Sequence, residues 1–488
     1  MEDKAVGGAR WTLMSYAISK GVTVVTTIAL ARLLLPSDFG TVALALLTIG
    51  ALAQFNDLGL GGVLVLRQDL DRRSQGTILT LMLTMSAGIA VVLFLLSGVV
   101  ADLFNQPELA AVLTVLAVIP LFGGLNWFYE ALLQRELEFS RRFAAQVTQS
   151  LSYAGVALIM ALLGAGVWSL VAGQVAGALA YATVLVTVAP HRILPRFDRR
   201  EARALLGAGR GFMAQGGLAF IQANADYLVV GRTLGATQLG FYSMAYRMSD
   251  LPYQGIADPI AKVTFPGFAR MRARGEDVRP AFLSALRFVA LVSCPLGILL
   301  SAAAEPFTRT LFDENWLPMI AVLNVLGLWA AVRTVQVTIA WLLNSVGEAG
   351  LMALISALVL LPLIPGLAVA GVLGGIAAVA WVVLADIVVS LLVLAYFAER
   401  RAHVSLRSQW LAIKPVVIAS PFAWAAARAA AEASSSAPPL ISLVAAVAAG
   451  GVAFLALVTF VEPRALKKAA EQVNRAVRSR GLAPADAG

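Results

Sequence analysis

Eight ionisable side chains interrupt apolar runs of this 488-residue chain: Lys20, Asp57, Asp226, Arg247, Asp250, Arg287, Arg333 and Asp386. An ionised group at the centre of a bilayer costs about 2.5–3.5 kcal/mol on insertion scales, so each needs a partner, water or a task. The cations can hold anionic oxygens, and arginine does so through a planar fork that suits phosphate or pyrophosphate. The carboxylates can take up and release H+ or Na+ as a cavity changes access. Lys20 lies about 13 Å and Arg333 about 15 Å inside their runs at 1.5 Å per residue, too deep to reach the interface with ease. Arg32 and Arg232 stand near run ends, where snorkelling to headgroups accounts for them, and Glu130, Arg210, Asp258 and Lys262 lie near the other face. Arg247 and Asp250 are three apart, so mutual neutralisation on one helix competes with separate roles. The candidates are thus Lys20, Arg333 and Arg247 for an anionic substrate, and Asp57, Asp226, Asp250 and Asp386 for coupling or gating.

No catalytic, metal or cofactor site is expected beside them. The single Cys294 excludes an intramolecular disulfide framework and a multi-cysteine metal site. His191 and His403 sit far apart in basic loops, whereas zinc sites take three or four ligands.

Elements able to hold such charges are legible in the hydropathy. The chain is 59% hydrophobic and 13% charged, with a mean hydropathy of +0.82, which excludes an ordinary soluble globular protein. Runs near the length of a membrane helix occur at 11–35, 41–66, 77–100, 109–130, 143–163, 167–189, 205–232, 239–262, 281–303, 317–343, 350–368, 371–398, 412–431 and 438–461. This predicts an all-α polytopic membrane protein of about fourteen transmembrane helices. No interval between runs holds a folded domain of ~50 residues. The first run lacks a small-residue cleavage site, so no removable signal peptide is expected.

Charge alternates between successive breaks. Every second break is basic: Arg67, Arg72 and Arg73; Arg135, Arg141 and Arg142; Arg192 to Arg203; Lys262 to Arg279; Arg400 to Lys414. The intervening breaks carry almost none, and the SVGEAG break at 345–350 is the exception among the basic set. The positive-inside rule puts the basic breaks and both termini in the cytoplasm. The net charge of +9 is therefore a topology signal rather than a nucleic-acid one. From Pro463 to Leu482 an apolar face opposite basic residues predicts a tail lying on anionic lipid.

The hairpin Trp11 to Arg67 has a second copy. At an offset of 200, Arg32 falls on Arg232, Leu34 on Leu234, Gly40 on Gly240 and Ala45 on Ala245. ARLLLPSDFG and GRTLGATQLG each end one apolar run and begin the next. Internal repeats of this kind mark secondary-transporter folds. The expected division is an N-lobe at 1–198, a C-lobe at 199–401, two further helices at 402–462 and a basic tail at 463–488. Lys20 and Arg333 would then come from opposite lobes. Pro120, Pro252, Pro295, Pro362 and Pro421 are expected to kink their helices. Gly173 with Gly177, and Gly371 with Gly375, predict close helix packing, and Pro365-Gly366 reads as a turn.

Three stretches carry a family resemblance: LARLLLPSDFG at 30–40, FNDLGLGGVLVLRQDL at 55–70 and ALLQRELEFSRRFAAQ at 131–146. They resemble the Wzx-type polysaccharide flippases of the multidrug/oligosaccharidyl-lipid/polysaccharide exporter superfamily, in the colanic-acid and exopolysaccharide branch. The resemblance implies two pseudo-symmetric six-helix lobes around a central cavity, with two more helices. It implies transport of undecaprenyl-pyrophosphate-linked oligosaccharide repeat units across the bacterial inner membrane. Membrane lipids, a polysaccharide polymerase and a chain-length regulator are the partners it suggests. A cationic cavity fits Lys20 and Arg333, although neither falls within a family motif.

Two other classes compete. A drug or cation exporter of the same superfamily would want an anionic cavity, against which Lys20 and Arg333 count. A membrane-embedded glycan polymerase or glycosyltransferase would need a sizeable loop or domain to hold sugar and catalytic groups. The chain offers no such loop.

Overall fold

The computed structural model describes residues 18–54, 60, 64, 71–136, 138–189, 191–258, 260, 264, 267–268, 271–272 and 274–463. Among them are helices and turns and no strand. Each of the fourteen apolar runs carries helix in its described part. Ten helices are long and apolar enough to cross a membrane, and Pro107–Leu116 with Val118–Arg135 form an eleventh span bent by 41°. The other three apolar runs hold Ile18–Ala31 and the two limbs of Arg199–Ser249, which break at Gly235. There φ is 84° and ψ is 178°, a backbone state that glycine alone adopts without strain.

The bend near residue 117 has a sequence cause. Pro120 lacks an N–H, and its ring displaces the carbonyl four residues earlier, that of Leu116, where the first helix ends. By contrast Pro295, Pro362 and Pro421 lie inside helices that continue past them. The expected turn at Pro365-Gly366 is displaced as well. Ala349–Leu373 runs through both residues, and the chain turns at Gly374 and Gly375 instead. Gly375 has a φ of 67° with open space where a Cβ would stand, so it serves a turn rather than the helix contact expected of it.

The helices pack into two compact units that divide between Ser243 and Met244. In the first, Phe139–Leu162 and Val167–Val188 run together, and the expectation for Gly173 and Gly177 holds. A Cβ at Gly173 would stand 2.8 Å from that of Ala157, and one at Gly177 would stand 3.3 Å from the Gln149 carbonyl oxygen. Phe128, Leu132, Ile78, Met82 and Leu185 fill the core beside them. The segment before Arg199 docks on the start of Arg72–Leu103: Arg196 N–H donates to the Gly76 carbonyl at 3.2 Å, and Thr80 Oγ1 donates to the Arg196 carbonyl at 2.8 Å. Arg73 pairs with Asp198 at 3.0 Å. The Asp198 carboxyl is held below its ordinary range, chiefly by the backbone N–H groups of Glu201 and Arg200 and then by the Arg73 charge.

The same unit contains the two copies of the repeated break, and they touch. A Cβ on Gly40 would overlap the Ala236 carbonyl, and a Cβ on Gly240 would overlap that of Pro36. Pro36 and Ala236 are themselves repeat equivalents, so the contact is reciprocal and glycine is required on both sides.

In the second unit, Arg279–Ala302 packs on Met319–Ser345 through Gly297 and Gly327. A Cβ on either would lie 2.6–2.8 Å from backbone of the other helix. Phe282, Leu286, Leu342, Leu394, Val416 and Ala419 build its core. Gln409 ties the turn before Leu406–Ala433, donating to the carbonyls of Ala395 at 3.1 Å and Val404 at 2.8 Å. Large apolar side chains such as Leu373, 80% exposed, and Phe460, 84% exposed, point outward, which suits lipid and not water.

Candidate functional site

Arg333 lies mid-helix in Met319–Ser345, a helix that carries no acidic side chain to neutralise it. Trp329, one turn earlier, places its ring under the guanidinium, with Cζ 4.7 Å from the ring centroid. Tyr253 covers Arg333 as well, also at 4.7 Å. Nη1 donates to the Tyr246 hydroxyl at 2.9 Å, and Nε stands 3.6 Å from Asp250 Oδ1. The latter is an ion pair too long for a hydrogen bond. Asp250 is 7% exposed, and its Oδ2 accepts from Gln254 Nε2 at 2.5 Å. Tyr246 and Trp329 also meet each other, with centroids 4.8 Å apart.

Local geometry explains how one stretch supplies so many of these groups. Tyr246, Asp250 and Tyr253 follow at spacings of four and three, which stack on one helical face. Immediately after Pro252 the helix widens to a π-turn over Tyr253–Ala257, the Asp258 N–H reaching back to the Tyr253 carbonyl. Such π-turns recur at functional sites. The guanidinium is therefore held by two aromatic rings and at two of its nitrogens. Tyr246 engages Nη1 and Asp250 faces Nε, so the edge at Nη2 is what this group can offer a ligand.

The remaining candidates are distributed differently. Arg247 is partly buried, one turn before Asp250, and Asp250 forms an ion pair with Arg333 on another helix. In the first unit Asp226 is 5% exposed; its Oδ2 accepts from the Tyr242 hydroxyl at 2.7 Å and its Oδ1 from the Tyr227 N–H at 2.9 Å. The Tyr242 contact ties the two limbs of Arg199–Ser249 together across Gly235. Lys20 is partly buried on Ile18–Ala31, and Asp386 is partly buried on Gly375–Ala402. Asp57 lies outside the described residues. Arg32 and Arg232 are exposed, as their places near run ends predict. Arg287 pairs with Glu462 at 2.9 Å, and Glu130 pairs with Arg142.

Sequence reading missed Tyr246, Trp329, Tyr253 and Gln254. A signal for them existed: Trp329 precedes Arg333 by four residues, and Tyr246 precedes Asp250 by four. A ring one turn from a buried charge is placed to cover it.

The described residues thus form a many-helix bundle of membrane-spanning type, with charges held by aromatic and carboxylate partners inside it. The fold is that of the MOP-superfamily transporters. It matches the lipid II flippase MurJ in its inward closed conformation over 94% of this chain and 99% of that one, with a TM-score of 0.75 at 13% identity. It matches an inward-facing multidrug resistance MATE family transporter over 80% and 94%, with a TM-score of 0.64 at 15% identity. Within that fold the chain belongs to the polysaccharide biosynthesis protein family, whose profile it matches over residues 29–321. It is similar to the succinoglycan biosynthesis transport protein ExoT of Rhizobium meliloti, with 31% identity over 69% of this chain and 68% of the relative. The lipopolysaccharide biosynthesis protein WzxC of Escherichia coli is 26% identical over 69% of this chain and 68% of its own length. The resemblance read at 30–40, 55–70 and 131–146 is borne out.

Proposed function

We propose that this protein flips undecaprenyl-pyrophosphate-linked oligosaccharide repeat units from the cytoplasmic to the periplasmic leaflet of a bacterial inner membrane, by alternating access. It is a transporter in this reading and performs no chemical step on the glycan. The observation that carries it is the Arg333 cluster, in a chain whose family is that of polysaccharide biosynthesis proteins. Two aromatic rings lie 4.7 Å from the guanidinium carbon, so the group is held in place to meet anionic oxygens at its edge. Phosphate, like carboxylate, matches the geometry of such a fork. Lys20 and Arg247 are the accessory cations, and Asp57, Asp226, Asp250 and Asp386 the carboxylates from which coupling or gating groups are drawn.

Both termini are cytoplasmic in this reading, since the basic breaks share one face with them. The lobes are 1–198 and 199–401, followed by the pair of helices to 462 and the basic tail. A polysaccharide polymerase and a chain-length regulator are the protein partners that a supplier of repeat units would serve. A drug or cation exporter fits less well. Such a protein needs a carboxylate open to its cargo, while Asp250 is engaged by Arg333 and Gln254, and Asp226 by Tyr242.

The test is glycan export in cells whose own transporter is deleted. Arg333→Met is expected to stop surface-polysaccharide production, with lipid-linked repeat units accumulating on the cytoplasmic leaflet. Normal export by a stably inserted Arg333→Met protein contradicts the assignment.

A further inference from the structure

We infer that a cavity at one end of the second unit binds a zwitterionic headgroup, a phosphate joined to a primary ammonium, and that its occupant is a phosphatidylethanolamine of the surrounding membrane. No residue of the Arg333 cluster lines it.

The cavity holds about 100 Å³, against about 10–15 Å³ for one water molecule. Its walls come from Ala304–Leu311, the end of Leu406–Ala433 and the start of Pro439–Val461. Four charged side chains line it, two of each sign: Glu305, Arg309, Arg428 and Glu432. Arg309 Nε donates to Glu305 Oε1 at 3.1 Å, and Arg428 Nε donates to Glu432 Oε1 at 2.7 Å. Both pairs are solvent-accessible, so each holds its members in place without a strong mutual grip. A guanidinium has further N–H donors and a carboxylate further lone pairs, so one bond between them saturates neither.

The backbone repeats this division of charge. Glu432 stands in the last turn of Leu406–Ala433, where the helix dipole adds negative potential to that of the carboxylate. Pro439–Val461 begins at the cavity wall and turns its positive end toward it. Ser442 Oγ donates to the Ala431 carbonyl at 3.2 Å and fixes the two helix ends against each other. A cavity with a positive and a negative side suits a dipolar ligand better than a simple anion or cation.

The surroundings select a lipid as the source of that headgroup. Leu406–Ala433 and Pro439–Val461 are long and apolar enough to span a membrane, so a cavity at their ends stands at headgroup depth. Leu440, Ile441 and Val444, just past the lining Pro439, are exposed, as is Phe422 on the neighbouring helix. Acyl chains can lie along them while the phosphate meets Arg309 and Arg428 and the ammonium meets Glu305 and Glu432. A choline headgroup has no N–H to donate to the glutamates, and a glycerol headgroup has no cation.

The experiment is native mass spectrometry of the full-length protein, stripped of lipid in detergent and titrated with dioleoyl phosphatidylethanolamine, phosphatidylcholine or phosphatidylglycerol, so that the acyl chains are the same throughout. Phosphatidylethanolamine is expected to bind wild type about fivefold more tightly than either of the others. Glu305→Gln with Glu432→Gln is expected to remove that preference and leave phosphatidylglycerol the tighter ligand. Arg309→Gln with Arg428→Gln is expected to weaken phosphatidylethanolamine to the level of phosphatidylcholine. Equal binding of the three lipids by wild type, or a preference that both double substitutions leave intact, overturns the site. Phosphatidylglycerol binding wild type as tightly as phosphatidylethanolamine overturns the zwitterionic ligand. Soluble phosphorylethanolamine at equal concentration is expected not to displace the lipid, and displacement overturns the lipid as occupant. Should a double variant fail to fold, Glu305→Gln alone carries the comparison, with a reduced preference for phosphatidylethanolamine expected and an unchanged one contradicting the site.

Discussion

Arg333 and Asp250 show how a residue's chemistry depends on what stands one turn away. Their depth and charge were plain in the sequence, because an ionisable group in an apolar run is rare enough to notice. Their pairing was not, since it joins positions 83 apart through tertiary packing, and helical spacing suggested Arg247 as the partner instead. The mutual dependence predicts a specific pattern of stability. Removing one member of a buried ion pair costs about 3–5 kcal/mol, because the other charge is left behind. Arg333→Met alone is therefore expected to lower the unfolding temperature in detergent, and the double variant Arg333→Met with Asp250→Asn to recover most of the loss while still failing to bind pyrophosphate. Recovery of binding together with stability in the double variant contradicts the role given to Arg333. A second prediction concerns Asp226. Tyr242→Phe removes its hydroxyl donor and is expected to cost about 1–3 kcal/mol in the same melt, as loss of a partner for a buried acceptor does. An unchanged melting temperature removes Asp226 from the set of residues that fix the break at Gly235.

Among elements, the informative cases are those where backbone meets backbone. The repeat at offset 200 was visible through few identities, and what those identities do became clear only from the contact between them. Gly40 and Gly240 are retained in both copies because each lies against the carbonyl of the other's partner, Ala236 or Pro36. Overpacking typically costs about 1–3 kcal/mol, and more where the obstacle is backbone that cannot swing aside. Gly40→Ala and Gly240→Ala are each expected to lower thermal stability by at least that much. Gly88→Ala, with open space around it, is expected to be neutral or to gain about 0.5–1 kcal/mol from helix propensity. Equal effects at Gly40 and Gly88 would mean that the reciprocal contact is not a constraint. Pro120 illustrates the limits of the sequence. Proline marks where a helix can break, yet the chain broke at Leu116, four residues before Pro120, and continued through Pro295, Pro362 and Pro421, so a proline in the sequence does not by itself fix a break. At the docked segment, Asp198 has a lowered pKa. Its contribution is complete at neutral pH and is lost as pH falls through that lowered value, so this contact is expected to survive mild acid.

For the whole molecule, span number was the most legible property and the internal arrangement of charges the least. Twenty-residue apolar runs leave little choice of secondary structure, since a bilayer requires every backbone group to be satisfied within the segment. Orientation rests on the alternation of arginine between breaks, and it is open to direct test. Cysteines at Asp38, Asn105 and Ser435 are expected to react with an impermeant thiol reagent in intact cells, and cysteines at Ser74, Arg199 and Arg274 to stay protected. The native Cys294 is buried and needs no removal. Reversal at two or more sites contradicts the assigned orientation. The central claim, that the protein moves a pyrophosphate-linked glycan, is met most directly by purified protein in liposomes loaded on one leaflet with a fluorescent prenyl-pyrophosphate oligosaccharide. The account predicts protein-dependent transfer to the other leaflet that is inhibited by free prenyl pyrophosphate and abolished in Arg333→Met with Asp250→Asn. Transfer at the protein-free rate, or transfer unaffected by the double substitution, would contradict it.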